Sequence, residues 1–457
     1  MAHIKTDICI IGAGSGGLSV AAGAVQMGAR VVLVEGHKMG GDCLNYGCVP
    51  SKALLAAGKI HPTPDFAAAK DYVQQVIDTI APVDSQERFE GLGVRVIRAQ
   101  ARFISNTQVQ AGDSIITARR YVLATGSGPL IPPIPGINDV AVQTNETIFD
   151  LRQKPRHLLI IGGGPIGMEM AQAHLRLGCK VTVIEGDRAM AKDDPELAAL
   201  LLEQLRAEGV EIIEQAKAER ISGIDGDITV HTTKGDFTGS HLLMAVGRKV
   251  NLTGLNLDKA GVAFDGKGVK VGPGLRSLTN RRVYAIGDAA GGMQFTHVAG
   301  YHAGVIIRSM LFALPSRQRT DHIPWTTYTD PELAQVGLTE AQARARHGAA
   351  VQVVSYDFKH NDRAIANGNR LGRIKVMVVK GRPVGASILG AQAGELIGLW
   401  AMAIANRLKM TAIAATVLPY PTLGEVNKRA AGAYFSPRLF ESPLVKRVVG
   451  LVQRFVP

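Results

Sequence analysis

Two cysteines, Cys43 and Cys48, stand in the stretch Gly40-Gly41-Asp42-Cys43-Leu44-Asn45-Tyr46-Gly47-Cys48-Val49-Pro50-Ser51-Lys52. A pair of thiols can store two electrons by opening and closing a disulfide. Residues five apart in a straight helix are separated by roughly 7.5 Å along the axis, whereas the Cα atoms of a disulfide lie about 5.5–6 Å apart. The segment between the cysteines is therefore expected to be irregular, and Asn45 and Gly47 permit that. Pro50 suits the first turn of a helix. Cys48 then sits at that helix's N-terminus, where the dipole favours a thiolate. Lys52, four residues on, faces the same side and adds a positive charge. The bare spacing, taken alone, favours a structural disulfide or two inert thiols.

The elements that must position these sulfurs are written twice in the chain. Asp7–Ile11 leads into Gly12-Ala13-Gly14-Ser15-Gly16-Gly17, an alanine-rich stretch, then Arg30–Glu35. His157–Ile161 leads into Gly162-Gly163-Gly164-Pro165-Ile166-Gly167, a second helical stretch, then Lys180–Glu185. Each reads strand, G-x-G-x-x-G, helix, strand, acid, with 23 positions from the first glycine to Glu35 or Glu185. Gly12, Gly14 and Gly17, and again Gly162, Gly164 and Gly167, allow a tight turn, close approach of a pyrophosphate and close helix packing. The helix N-terminus offers N–H groups to the phosphates. The acid suits the hydroxyls of an adenosine ribose. Two such units predict two dinucleotide sites.

A chain of 457 residues needs two to four domains, and 46% hydrophobic residues supply their cores. Four cysteines do not make a disulfide framework, so a cytoplasmic location is expected. Cys9 and Cys179 read as core residues. The net charge of +12 comes from scattered basic residues without interleaved aromatics. It predicts attraction of anionic cofactors and no nucleic-acid partner. A strand beginning within a few residues of Met1 leaves no room for a signal peptide. No run of about 18 apolar residues suggests a membrane span.

The dithiol string resembles the redox-active segment of the FAD-dependent pyridine nucleotide-disulfide oxidoreductases, which include lipoamide dehydrogenase, glutathione reductase and mercuric reductase. The first fingerprint runs into the dithiol, so it is expected to hold FAD, a two-electron partner fixed beside the sulfurs. The second is expected to hold the nicotinamide nucleotide. Glu185 favours NAD(H), because a carboxylate repels a 2′-phosphate, while Arg188 nearby leaves NADPH open. Tyr121–Gly126 resembles the segment that returns the chain beside the flavin, placing Thr125 and Gly126 there. In Val283–Asp288, Asp288 matches the acid that bonds the flavin ribityl chain, although it could instead cap the following helix. Leu243–Arg248, with Gly247, resembles the end of the nicotinamide domain.

The resemblance implies an α/β fold with two Rossmann-like dinucleotide-binding domains plus a C-terminal α/β dimerisation domain. The expected bounds are 1–145 and 269–320 for the FAD-binding domain, 146–268 for the NAD(P)H-binding domain and 321–457 for the dimerisation domain. Leu314–Arg319 reads as a linker. Apolar spacing around Leu396–Leu408 predicts a core or interface helix. A homodimer with active sites built from both chains is implied, as is pairing of Glu169 with Lys52. The resemblance also makes Cys48 the thiolate beside the flavin and Cys43 the exchanging sulfur.

One position departs from the thiol-disulfide members. Leu418-Pro419-Tyr420-Pro421-Thr422-Leu423-Gly424-Glu425 places Tyr420 where they carry a proton-shuttling His oriented by the acid matching Glu425. A phenol with a pKa of about 10 is a poor base at neutral pH. Tyr420 otherwise reads as a packing residue in a turn. The Pro-Tyr pair resembles mercuric reductase, which also carries a cysteine pair near its C-terminus; no cysteine follows Cys179 in these residues. Tyr46 stands where relatives carry an aliphatic residue and would narrow the approach to the sulfurs. No resident metal is expected.

The expected function is therefore that of an NADH-dependent, lipoamide dehydrogenase-like oxidoreductase, passing electrons from NADH through FAD and Cys43–Cys48 to a disulfide. A metal-ion reductase and a flavin-based quinone reductase are the alternatives. The basic, apolar stretch Val445–Phe455 predicts a helix packed across the dimer, or one that touches anionic lipid as a peripheral membrane contact.

Overall fold

The computed structural model describes residues 1–60 and 65–456, so residues 61–64 of the expected FAD-binding domain and residue 457 lie outside it. Its contacts divide the chain into two compact units, Met1–Gly186 with Val210–Gln318, and Asp187–Gly209 with Arg319–Pro457.

The first unit opens with β1 (Ala2–Ile11), α1 (Ser15–Gln26) and β2 (Val31–Glu35). β1 and β2 pair in parallel over Ile8–Ile11 and Val31–Val34, and these paired residues are buried, as their apolar runs Ile-Cys-Ile-Ile and Val-Val-Leu-Val require. The long strand Ser114–Leu123 flanks β1 on its other side, again in parallel. Its outer edge is shared: Ser114–Thr117 pairs with Gln108–Ala111, and Tyr121–Leu123 pairs with Val283–Ala285. Late-sequence residues thereby enter the first sheet beside Thr125 and Gly126. The dithiol lies on α2 (Gly41–Asn45) and at the start of α3 (Cys48–Ile60).

The second repeat is β3 (His157–Ile161), α4 (Pro165–Arg176) and β4 (Lys180–Ile184). It builds a five-stranded parallel sheet in the order 211–213, 180–184, 157–161, 241–244, 142–143. The chain thus joins this sheet at Val142, a few residues before the expected boundary at 146. A two-stranded ribbon, Ser127–Pro129 against Arg248–Val250, ties the two halves of the unit together.

The second unit holds a five-stranded antiparallel sheet ordered 324–327, 332–337, 382–390, 373–379, 351–357. Its core centres on Trp400, whose indole N–H donates to Asn427 Oδ1 at 2.7 Å. The helix expected over 396–408 runs instead over Ala393–Ala405, and Arg407 just beyond it takes a φ of +54°. The segment 314–319 expected to be a linker is irregular.

One helix falls outside its expected domain. α5 (Pro195–Glu208) lies within residues 146–268, yet it clusters with the second unit. Asp194 caps it, accepting from Glu196 N and Leu197 N. The same carboxylate, fully buried, accepts from Lys375 Nζ at 3.0 Å, and Asp193 accepts from Trp325 Nε1 at 2.9 Å. The helix also buries Leu197, Leu201, Leu202 and Leu205, and a charge-matched, desolvated anchor holds its start; neither strand pattern nor glycine spacing announces that anchor.

Candidate active site

The two glycine-rich turns have the same construction. Gly12 and Gly162 take φ of +106° and +116°. A Cβ on either would run into a carbonyl oxygen of the neighbouring strand, Ala124 O or Ala245 O. A Cβ on Gly17 or Gly167 would meet the carbonyl of Gly12 or Gly162, so each helix presses directly on its turn. Each acid reaches back across its own turn: Glu35 accepts from Ala13 N and Glu185 from Gly163 N, both at 2.6 Å. Each carboxylate keeps acceptor capacity for a ribose hydroxyl. Neither α1 nor α4 has a side-chain cap or an acid in its first turn, which leaves both N-termini suited to a phosphate.

The first turn also positions the dithiol. Gly40 N donates to Ala13 O at 3.0 Å, and a Cβ on Gly41 would lie 2.6 Å from Gly14 Cα. Only a glycine at position 41 lets these backbones meet. Gly40 and Gly41, at φ of +82° and +64°, then turn the chain into α2. The Asn45 amide closes that helix, donating to Met39 O at 3.0 Å and Gly41 O at 2.8 Å. The segment between the cysteines is irregular in part, as expected. Cys43 is helical, and the break is confined to Tyr46 and Gly47 before α3 starts at Cys48.

The sulfurs form one electrostatic unit, carried as thiols. Cys48 is pushed down to about 6, first by its hydrogen bond with Cys43, then by Thr296 and the Lys52 charge. Thr296 Oγ1 stands 3.4 Å from Cys48 Sγ. Cys43 is pushed strongly upward, chiefly by the same inter-cysteine hydrogen bond. One proton is thus shared unequally, with the thiolate on Cys48. Lys52 Nζ donates to Glu169 Oε2 at 2.8 Å. Tyr46 is half-buried, with the Lys38 ammonium 5.0 Å from its ring centroid.

A second network backs the dithiol helix. Arg248 pairs with Asp42 at 3.0 Å and donates to Ser127 Oγ and Ser127 O, both at 2.7 Å. Ser127 Oγ in turn donates to Asp288 Oδ2 at 2.5 Å. Burial pushes the Asp288 carboxyl upward. Asp288 does not cap α6 (Thr296–Phe312), which has no side-chain cap. Thr125 Oγ1 is buried without a partner among the described residues, as a hydroxyl awaiting a ligand would be. Gly126, at φ +63°, and Gly247, at φ +134°, turn the chain at the two ends of the ribbon. These groups fit a flavin dinucleotide in the first repeat.

Tyr420 and Glu425 belong to the second unit. Tyr420 is 69% exposed, and its hydroxyl donates to Asp362 Oδ2 at 2.8 Å. That bond pushes the phenol above its ordinary pKa. Glu425, half-buried, begins the helix Glu425–Ala433. The carboxylate bonded to the phenol is therefore Asp362, 58 residues upstream, rather than Glu425. Nothing in the local sequence marks Thr296, Ser127, Arg248 or Asp362 as partners of these groups. Each acts across a long separation, and only Arg248, directly after Gly247, lies inside a recognisable string. Cys9 and Cys179 are buried, and burial pushes their thiols up to about 12 and about 11.

Known proteins share this architecture. Residues 6–303 match the pyridine nucleotide-disulphide oxidoreductase family, and residues 323–431 match that family's dimerisation domain. A mercuric reductase of Acidithiobacillus ferrooxidans is 32% identical over 455 residues, 94% of this chain and 83% of that protein. A dihydrolipoyl dehydrogenase of Bacillus subtilis (strain 168) is 32% identical over 451 residues, 93% and 97% respectively. The Cu(II) complex of the HOCl-induced flavoprotein disulfide reductase RclA from Escherichia coli has a TM-score of 0.87 and 29% identity, over 94% of this chain and 99% of that one. The family uses FAD and a pyridine nucleotide, and its dimerisation domain marks a homodimer. With its paired fingerprints and its dithiol, the chain belongs to the pyridine nucleotide-disulphide oxidoreductase family.

Proposed function

We propose that this protein is an NADH-dependent oxidoreductase whose Cys43–Cys48 pair delivers electrons to a soft, thiol-binding metal cation in preference to lipoamide. When bound, FAD and NADH supply the two-electron reduction of the disulfide. The chain's own residues hold the result. Cys48 is kept as a thiolate by Cys43, Thr296, Lys52 and the start of α3. Glu169 fixes the Lys52 ammonium. Cys43 keeps the proton until an acceptor displaces it. Gly12, Gly14, Gly17, Glu35, Lys52, Thr125, Gly126 and Asp288 would hold FAD. Gly162, Gly164, Gly167, Glu185 and Gly247 would serve the nicotinamide nucleotide, with Glu185 favouring NADH. Each active site would draw residues from both chains of the dimer, and the dithiol chemistry fits a reducing cytoplasm.

Tyr420 carries the choice of acceptor. Thiol–disulfide exchange needs a proton delivered to the departing sulfur. The residue at the expected base position is a phenol committed to Asp362 with its pKa raised. A soft cation needs no such delivery, because it replaces the thiol protons directly. The name mercuric reductase among the relatives and the Cu(II) complex of the structural neighbour support the same reading.

The test is NADH oxidation with thiol-complexed Hg(II) or Cu(II), beside oxidised lipoamide, in wild type and Cys43→Ser. Cation-dependent turnover lost in the variant, with flavin reduction by NADH intact, supports the proposal. Lipoamide turnover faster than cation turnover would return the acceptor to a disulfide. A cation or quinone rate unchanged by Cys43→Ser would make the flavin, and not the dithiol, the electron donor.

A further inference from the structure

The helix α7 (Pro443–Phe455) lies beyond residue 431, where the dimerisation-domain match ends. None of its residues is buried. Placed at about 100° per residue, Leu444, Val445, Val448, Val449, Leu451, Val452 and Phe455 fill one continuous arc of about 160°. Lys446, Arg447, Gly450, Gln453 and Arg454 fill the opposite face. The apolar arc stands in solvent, with Leu444 at 69%, Leu451 at 57% and Phe455 at 71% exposure.

Charge decides what covers it. From Ser442 to Val456 there are three basic residues and no acid. Lys446 and Arg447 fall toward the two borders of the apolar arc, where long basic side chains can lie along apolar surface and keep their charges in a headgroup layer. A second copy of α7 facing the first across a twofold axis would bring like charges together. An anionic bilayer supplies both complements at once, acyl chains for the arc and negative headgroups for its borders. At 13 residues α7 is too short to cross a membrane. No described helix of the chain is long and apolar enough to do so.

We propose that α7 is an interfacial anchor that lays the protein on an anionic lipid surface. The test is co-sedimentation of the full-length holoenzyme with phosphatidylcholine vesicles, with and without phosphatidylglycerol. Wild type is expected to pellet with the phosphatidylglycerol vesicles alone, and less in high salt. Leu451→Glu with Phe455→Glu is expected to lower vesicle affinity about tenfold or more, as is Lys446→Gln with Arg447→Gln and Arg454→Gln. Light scattering should give the same dimer mass throughout. Wild type that stays in the supernatant overturns the proposal, as does undiminished pelleting of the glutamate variant. Dissociation of the dimer in that variant would show that a second copy covers the face. Should the glutamate variant lose its flavin, Leu451→Trp provides the reading. A blue shift of its added fluorescence on phosphatidylglycerol vesicles supports the anchor, and no shift excludes it.

Discussion

Lys52 Nζ and Glu169 Oε2 lie 2.8 Å apart, joining α3 to α4 one helical turn from Cys48. The Glu169 side chain is only 6% exposed, so the pair sets the field at the dithiol with little solvent screening on the carboxylate side. The lysine charge lowers the Cys48 pKa and the glutamate charge raises it. In the reduced protein, alkylation of Cys48 should follow its titration near pH 6. Lys52→Met is expected to move that midpoint up, and Glu169→Gln to move it down. Thr296→Val, which removes the 3.4 Å hydroxyl contact without changing side-chain shape, should also move it up and leave flavin content unchanged. Mass mapping of iodoacetamide adducts against pH reads all three.

The matched turns separate the two nucleotides. Alanine at Gly12 or Gly162 forces a side chain into the left-handed φ region and against a strand carbonyl. Such strain costs on the order of 1–3 kcal/mol where it is accommodated at all. Gly12→Ala is expected to purify with reduced flavin. Gly162→Ala should keep its flavin and raise the KM for NADH. Absorbance of the purified proteins and steady-state kinetics distinguish them.

Lys375 anchors α5 through the buried Asp194 and also pairs with Glu196 and Glu340, each at 2.9 Å. Lys375→Met leaves Asp194 desolvated and without its cation, and should destabilise the protein by about 3–5 kcal/mol. Glu196 and Glu340 are held below their ordinary range, chiefly by hydrogen bonds from Lys375. A depressed carboxylate contributes stability that is complete above its unfolded value, about 4.3, and is lost as pH falls through the folded one. Wild-type melting temperature should therefore fall steeply on acidification below that point, and Lys375→Met should show a shallower acid slope. Scanning calorimetry across acid pH is the measurement.

Tyr420→His puts an imidazole where the phenol now bonds Asp362. An imidazole titrates near neutral pH and can take the proton that the phenol cannot. The NADH:lipoamide rate is expected to rise by about tenfold or more, with the cation-dependent rate little changed. An unaltered lipoamide rate would remove Tyr420 from the choice of acceptor.

The chemistry written locally was legible in the chain. Gly12, Gly14 and Gly17 precede Glu35 at the spacing that Gly162, Gly164 and Gly167 repeat before Glu185. A glycine turn, a helix N-terminus and a strand-end acid are consecutive in sequence, so their geometry follows from backbone rules alone. The place of Cys48 at a helix N-terminus was equally local. Tertiary structure alone decided what depends on distant partners. Thr296 reaches Cys48 across 248 positions, and Asp288 joins Ser127 across 161. α5 clusters with the second unit, where its buried cap Asp194 meets Lys375 across 181 positions. Asp362, not Glu425, takes the Tyr420 proton donor. At Asp194 and Asp288 a carboxylate that burial leaves in need of a partner finds it where the fold brings one. No periodicity or spacing encodes that meeting, because desolvation and charge complementarity select it only once the elements have packed.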